Sequence, residues 1–365
     1  MSKQLKICVS RNQGGLGDQI CCEPVIRAVR EKYPDAHITW VCGEPWLILF
    51  YDQKHCADDV VSYTPWEDVY PKMREKFDLV LELDGPEVRH ALENDYDLKE
   101  SRIESWCKYV DKMPNDLCPR WLPKDWERNK IASYLSEAGL RPFNYIVVQW
   151  ASAEKKKDYL WMKELICLLK DRGHDIIVVH HDTSVVPDLG VYTAIGREFR
   201  EIGCMIELAT CLIGPDSSLQ HFAAAVKTPS LGLFGPTSPE IYLKGYPLAH
   251  WIWNKDVKGH DCEHSFPCYG VKFRNHWCGR RPESSPWCLE QVKPETIADT
   301  YEKLKESYIA KGFYEKKLHF VSKPGSELFF STDPKIDLLS LREVGEVLPI
   351  KGLSLRTKSV NRRLS

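Results

Sequence analysis

Between residues 211 and 239 the chain twice runs from an apolar strand into a turn of glycine and proline, and this pattern constrains the fold more than any other. Cys211 to Ile213 read as a strand that stops at Gly214-Pro215. Asp216, Ser217 and Ser218 follow, residue types that cap helices, and then comes the alanine-rich run Leu219-Gln220-His221-Phe222-Ala223-Ala224-Ala225. The first amides of such a helix have no partner within it and can hold an anion such as a diphosphate. His221 falls about one turn further on. A second strand, Ser230 to Phe234, runs into Gly235-Pro236-Thr237, another turn with amides to offer. Strand, helix and strand put both turns at the strand ends of an open α/β sheet, where such sheets take their ligands.

A second motif opens the chain. Ile7 to Val9 form an apolar strand, Asn12-Gln13-Gly14-Gly15-Leu16-Gly17-Asp18 a glycine-rich turn, and Ile20, Ile26, Val29 and Tyr33 a helical stripe. The glycines allow a tight turn and a close backbone approach to a ligand. The spacing is not the dinucleotide fingerprint GxGxxG. Pro24 should sit in the first turns of the helix or kink it.

Together the two motifs resemble glycosyltransferase family 9, the lipopolysaccharide heptosyltransferases. The resemblance rests on Gly-Leu-Gly-Asp with Glu-Pro-Val-Ile-Arg-Ala-Val-Arg-Glu-Lys-Tyr-Pro near the start. It rests equally on Asp216-Ser217-Ser218-Leu219-Gln220-His221 with Leu233-Phe234-Gly235-Pro236-Thr237 about 200 residues later. It covers roughly residues 5 to 310. It implies an α/β chain of the GT-B class, two Rossmann-like domains whose parallel sheets face a cleft. It also implies metal-independent transfer with inversion at the anomeric carbon. The chain departs from the family pattern at Ser218, usually Gly, and in the basic segment after the first strand of the second domain. There Ser152 precedes Lys155, Lys156 and Lys157, any of which could hold a phosphate.

The remaining sequence accommodates this architecture. A chain of 365 residues exceeds the usual single domain. We expect an acceptor-binding domain over 1–140, a nucleotide-sugar-binding domain over 141–312 with a Cys-rich loop at 260–288, and a partly mobile extension over 313–365. Ile38 to Val41, Leu79 to Leu83, Tyr145 to Gln149 and Asp175 to His180 read as further strands. Helices are expected over 127–138, 159–172 and 197–209, with one more after Pro294. A formal net charge of −2 gives no electrostatic case for nucleic acid. No apolar run approaches the length of a membrane span, and Met1 to Gln4 lead directly into a strand. The expected location is therefore cytoplasmic, with peripheral contact at the inner membrane face if the acceptor is a glycolipid.

The roles carried over from the resemblance are specific. Asp18 is the candidate base for an acceptor hydroxyl, beside a turn of Gly15, Leu16 and Gly17. Ser152, the three lysines, Asp216, Ser217, Ser218, His221, Gly235, Pro236 and Thr237 are the candidate donor site, with ADP-heptose the leading donor. The expected acceptor is a glycan or glycolipid like the lipopolysaccharide core. Structural readings stand beside these. Asp18 and Asp216 could be helix caps, His221 a core histidine, and the lysines a solvated face. The Asp95-Tyr96-Asp97 triplet resembles a metal-binding DxD, but its polar flanks read as surface. Catalysis is expected to need no cofactor. Cys262, Cys268, Cys278 and Cys288, among His260, His264 and His276, could hold a structural zinc, although no C-x-x-C pair is present. The other ten cysteines read as buried apolar residues. An epimerase or hydrolase acting on a nucleotide sugar is an alternative, separable by product analysis with donor alone; a non-catalytic binder would never consume it.

Overall fold

The computed structural model describes residues 3–63, 72–84, 100–182, 185–253 and 285–321. Two parallel sheets organise them. The first holds β1 (Lys6–Arg11), β2 (His37–Cys42), β3 (Asp59–Val61) and β4 (Leu79–Glu82) in the order β3-β2-β1-β4. The second holds β5 (Tyr145–Gln149), β6 (Asp175–His180), β7 (Tyr192–Ile195), β8 (Cys211–Pro215), β9 (Ser230–Phe234) and β10 (Ala249–Trp253) in the order β10-β9-β8-β5-β6-β7. Every strand pairing is parallel. Strands in such sheets are covered on both faces, so Ile7, Cys8 and Val9 in β1 and Val147 and Val148 in β5 are all fully buried.

Strand order fixes where a ligand can sit. Each sheet grows outward in opposite directions from its first strand, leaving a crevice between β1 and β4 and another between β5 and β8. The glycine-rich turn follows β1 and leads into α1 (Leu16–Ile20) and α2 (Cys22–Lys32). Gly14 takes φ +98°, which only glycine adopts without strain. Pro24 occupies the third residue of α2, inside the first turn, where no intrahelical amide bond is lost. The second motif follows β8 and enters α3 (Ser218–Ala225).

The two units share buried surface. One core runs from Ile7, Ile26 and Trp40 through Trp121 to Met205, Phe222 and Ala225. Trp121 meets Phe222 edge-on, with ring centroids 4.9 Å apart, and donates its indole N–H to the Leu49 carbonyl at 2.8 Å. The helix Asp125–Glu137, expected in the first domain, is tied to the second by Arg128, whose Nε lies 2.9 Å from Glu207 Oε2. The start of the expected extension forms a packed helix, Phe313–Val321. Phe313 is 2% exposed, and Tyr314 donates to the Thr210 carbonyl at 3.0 Å. Residues 322–365 lie outside the described residues.

Several expected elements differ in length. The helix placed at 159–172 runs Met162–Asp171, because Tyr159 turns inward to donate to the Val292 carbonyl at 2.6 Å. The helix placed at 197–209 runs Phe199–Glu207. Among the described residues, no helix is long and apolar enough to cross a membrane.

Candidate functional site

A cavity of about 1070 Å³ opens where the two crevices face each other. Gly15 to Asp18 line it from the first sheet; Ser152 and Lys157, which follow β5, and Asp216 to Ser218, which follow β8, line it from the second. Helices α1 and α3 meet across it. A Cβ placed on Gly17 would lie 3.1 Å from His221 Cδ2 and 3.4 Å from Ser218 Cα. This glycine therefore permits the close approach of the two motifs, a purpose not evident from its turn alone.

Asp18 is the third residue of α1, and its carboxylate accepts the Gly15 amide at 2.9 Å. It is also paired with Arg102, the first residue of the helix Arg102–Tyr109, and Arg11 Nη2 lies 3.6 Å away. The guanidinium carbons of both arginines lie near the face of Trp106, at 5.3 and 5.8 Å from the ring centroid. Arg11 is held in turn by Asp84, two residues past the end of β4, which also accepts the Asn12 and Gln13 amides at 2.7 and 3.1 Å. Two cations beside Asp18 favour its charged form, a carboxylate able to receive a proton.

The opposite wall is more enclosed. Asp216 is 5% exposed and faces Lys157 Nζ at 3.1 Å. Burial opposes the charge on Lys157, but Asp216 and Glu154 outweigh it and raise its pKa above the usual lysine value. Of the three lysines, only Lys157 is among the residues that line the cavity, which separates it from Lys155 and Lys156. Ser152 shapes the loop: its amide donates to Asp158 at 2.7 Å and its hydroxyl to the Glu154 carbonyl at 2.7 Å. Ser217 caps α3, accepting the Leu219 amide at 3.3 Å and bonding Gln149, so that amide is already engaged. His221 is buried, and burial, with Arg102 and Lys157 nearby, lowers its pKa to about 4 despite Asp216. It is neutral near pH 7.

Gly235, Pro236 and Thr237 sit behind this wall. A Cβ on Gly235 would meet Pro286 and Leu289, and Thr237 is fully buried. Ser238, Ile241 and Tyr242 line the cavity in their place. Sequence reasoning missed Arg11, Arg102, Asp84 and Tyr246. Ser101-Arg102-Ile103-Glu104 is a capping box, with Glu104 N to Ser101 Oγ at 3.2 Å and Ser101 N to Glu104 Oε2 at 2.7 Å. That signal marked the helix start but not its partner.

Asp95 and Asp97 lie outside the described residues, as do Cys262, Cys268 and Cys278; Cys288 is buried. The described cysteines are free thiols, and of the ten scattered ones all but Cys167 are buried. Among the described residues, one other group brings together the donor atoms a cation needs. Donor atoms of Glu23, His55 and Cys56 lie within 4.8 Å of one another. Glu23, however, is engaged by Arg27 at 2.9 and 3.2 Å, and a guanidinium so close would repel a metal ion.

A family model described as glycosyltransferase family 9 (heptosyltransferase) matches residues 117–265. The lipopolysaccharide heptosyltransferase 3 of Escherichia coli is 30% identical over 282 residues, spanning 60% of this chain and 81% of that protein. The chain belongs to glycosyltransferase family 9. Solved structures agree on the fold. The ADP-heptose lipopolysaccharide heptosyltransferase II of E. coli aligns with a TM-score of 0.62 at 16% identity, over 84% of this chain and 100% of that one. A family 9 glycosyltransferase from Veillonella parvula aligns at 0.63 and 16%, over 83% and 97%. The family 9 chain therefore has the GT-B architecture expected from its motifs, and it is a glycosyltransferase.

Proposed function

We propose that this family 9 member moves a sugar from a nucleotide donor, ADP-heptose first among candidates, to a hydroxyl of a glycan or glycolipid like the lipopolysaccharide core. Transfer inverts the anomeric carbon and needs no metal. The observation that carries this reading is the facing of the two switch points. A carboxylate from the first unit and a lysine from the second border one cavity. The E. coli relatives are lipopolysaccharide heptosyltransferases, one of them an ADP-heptose enzyme, which supports this donor and context.

The donor lies against the second unit. Lys157 neutralises the departing diphosphate, with the Ser218 amide at the start of α3. Asp216 faces sugar hydroxyls, since a carboxylate beside a diphosphate is repulsive. The acceptor enters from the first unit. Asp18 takes the proton as the hydroxyl attacks the anomeric carbon, the C–O bond to the phosphate breaking on the opposite face. Ion pairing weakens Asp18 as a base at rest. The attacking hydroxyl becomes far more acidic as its new bond forms, so a modest base suffices late in the step. Arg102 and Arg11 keep the carboxylate oriented and charged until then.

A thermal-shift screen of nucleotide sugars tests the donor. At 100 times its dissociation constant, a ligand adds about 2.7 kcal/mol of stability. ADP-heptose should stabilise most, and transfer should persist in excess EDTA. Activity lost in EDTA and restored by Mg²⁺ or Mn²⁺ would overturn the metal-independent reading and return attention to Asp95 and Asp97.

A further inference from the structure

Three side chains meet at the cavity wall, and the proposed transfer gives a role to none of them. Cys21 joins α1 to α2 in the first unit, whereas His221 and Tyr246 belong to the second. Tyr246 Oη lies 2.9 Å from His221 Nδ1, and Cys21 Sγ lies 3.7 Å from that hydroxyl and 3.6 Å from Nδ1. All three are buried, at 5%, 8% and 5% exposed for Cys21, His221 and Tyr246. The rings of His221 and Tyr246 meet nearly edge-on, at 85°. His221 lines the cavity.

A neutral imidazole carries one proton, and its place decides what the ring offers a ligand. With the proton on Nδ1, Nε2 is an acceptor, which repels a phosphate oxygen and can only accept from a sugar hydroxyl. With it on Nε2, the ring donates to such an oxygen. The partners of Nδ1 settle the choice. Burial keeps the Tyr246 phenol protonated, raising its pKa well above the ordinary value. That O–H must donate to something. Among the described residues the acceptors beside it are an imidazole nitrogen and a thiol sulfur, and sulfur is the weaker acceptor. The hydroxyl therefore donates to Nδ1, and the proton resides on Nε2.

We propose that Tyr246 is a positioning residue. It holds His221 as an Nε2–H donor aimed at a phosphate or hydroxyl oxygen of the bound nucleotide sugar, with Cys21 closing the pair off from the first unit. This rests on the reading of the cavity as the donor site. Inverting or losing the tautomer weakens donor binding without altering the shape of the pocket.

Two-bond ¹⁵N–¹H correlation spectra of ¹⁵N-histidine-labelled protein read the tautomer directly and need neither ligand nor variant. The wild-type His221 should show a protonated Nε2 and an unprotonated Nδ1; the reverse pattern overturns the proposal. In Tyr246→Phe, which keeps the ring, the pattern should become mixed, and ADP-heptose affinity by calorimetry should fall about tenfold, the worth of one hydrogen bond. An unchanged nitrogen pattern in the variant overturns the proposal whatever the affinity does, and a changed pattern with unchanged affinity overturns the ligand-facing role. If ADP-heptose does not bind the wild-type protein, the donor assignment fails, while the wild-type nitrogen pattern still decides the tautomer.

Discussion

Asp18 and Glu23 stand five residues apart in one motif, and their surroundings give them opposite tasks. The Glu23 side chain is 2% exposed and fully engaged. It accepts from Arg27, from His55 at 3.1 Å and from the Arg120 amide at 3.0 Å. Burial would raise its pKa, but Arg27 and His55 outweigh burial and bring it to about 2. Asp18 is 19% exposed, borders the cavity, and is paired with an arginine that is itself 38% exposed. A carboxylate whose every neighbour is fixed is scaffolding. One whose partner can move without unfolding the core is available for chemistry.

Removing the fixed carboxylate should produce the largest change. Glu23→Gln leaves Arg27 buried beside a neutral partner and should cost about 3–5 kcal/mol of stability. The loss should depend on pH in a defined way. The folded pKa of Glu23 is lowered from 4.5 to about 2, so its contribution is present above 4.5 and fades as pH falls toward 2. Burial disfavours the charge on His55, but Cys56 and Glu23 raise its pKa from 6.5 to about 10, so its contribution is full below 6.5 and fades as pH rises toward 10. Denaturant titrations across pH should show the widest gap between wild type and variant near pH 4.5–6.5. A gap constant across the whole range would mean that the network is not the cause. Donor affinity of the folded variant should be unchanged.

The open carboxylate should behave in the opposite sense. Asp18→Asn keeps the shape and the cap but cannot take a proton, so turnover should fall at least about a hundredfold. Stability should change less than in Glu23→Gln, because Asp18 and Arg102 are only partly buried. Steady-state rates beside melting curves separate the two carboxylates. Near-normal turnover would make Asp18 a cap like any other.

How much of this contrast was legible in the sequence depends on distance along the chain. Tyr145 to Gln149 and Cys211 to Ile213 were readable because central parallel strands are buried on both faces and give unbroken apolar runs. The edge strands Asp59–Val61 and Tyr192–Ile195 were not, because they are short and half-covered. Asp216, Ser217 and His221 could be assigned together because they belong to one strand-turn-helix unit. Arg102 and Tyr246 reach the site from 84 residues and 25 residues away from Asp18 and His221. No local pattern encodes such pairings. The pairing of Glu23 with Arg27, four residues on, is a local pattern, but the rest of the difference from Asp18 was illegible for the same reason: it lies in His55 and Arg102, far along the chain.

The donor wall offers smaller tests. Lys157→Ala should weaken nucleotide-sugar binding by about 10–100-fold, since a hydrogen bond to a charged group is worth about 1.5–3 kcal/mol. Lys155→Ala and Lys156→Ala should leave it unchanged. Calorimetric titration distinguishes the three, and equal losses would remove the special place of Lys157 beside Asp216. Ser217→Ala deletes the cap of α3 and should cost about 1 kcal/mol of stability. Chemical denaturation measures this, and no loss would show that the Gln149 contact and the cap are dispensable.

The account depends most on the donor and Asp18 meeting across the cavity. A crystal structure with ADP-heptose or an unreactive analogue tests this directly. The account predicts a diphosphate oxygen within hydrogen-bond reach of Lys157 Nζ, at about 2.7–3.2 Å, and the anomeric carbon turned toward Asp18. A nucleotide bound elsewhere, or an anomeric carbon facing away from Asp18, would contradict it.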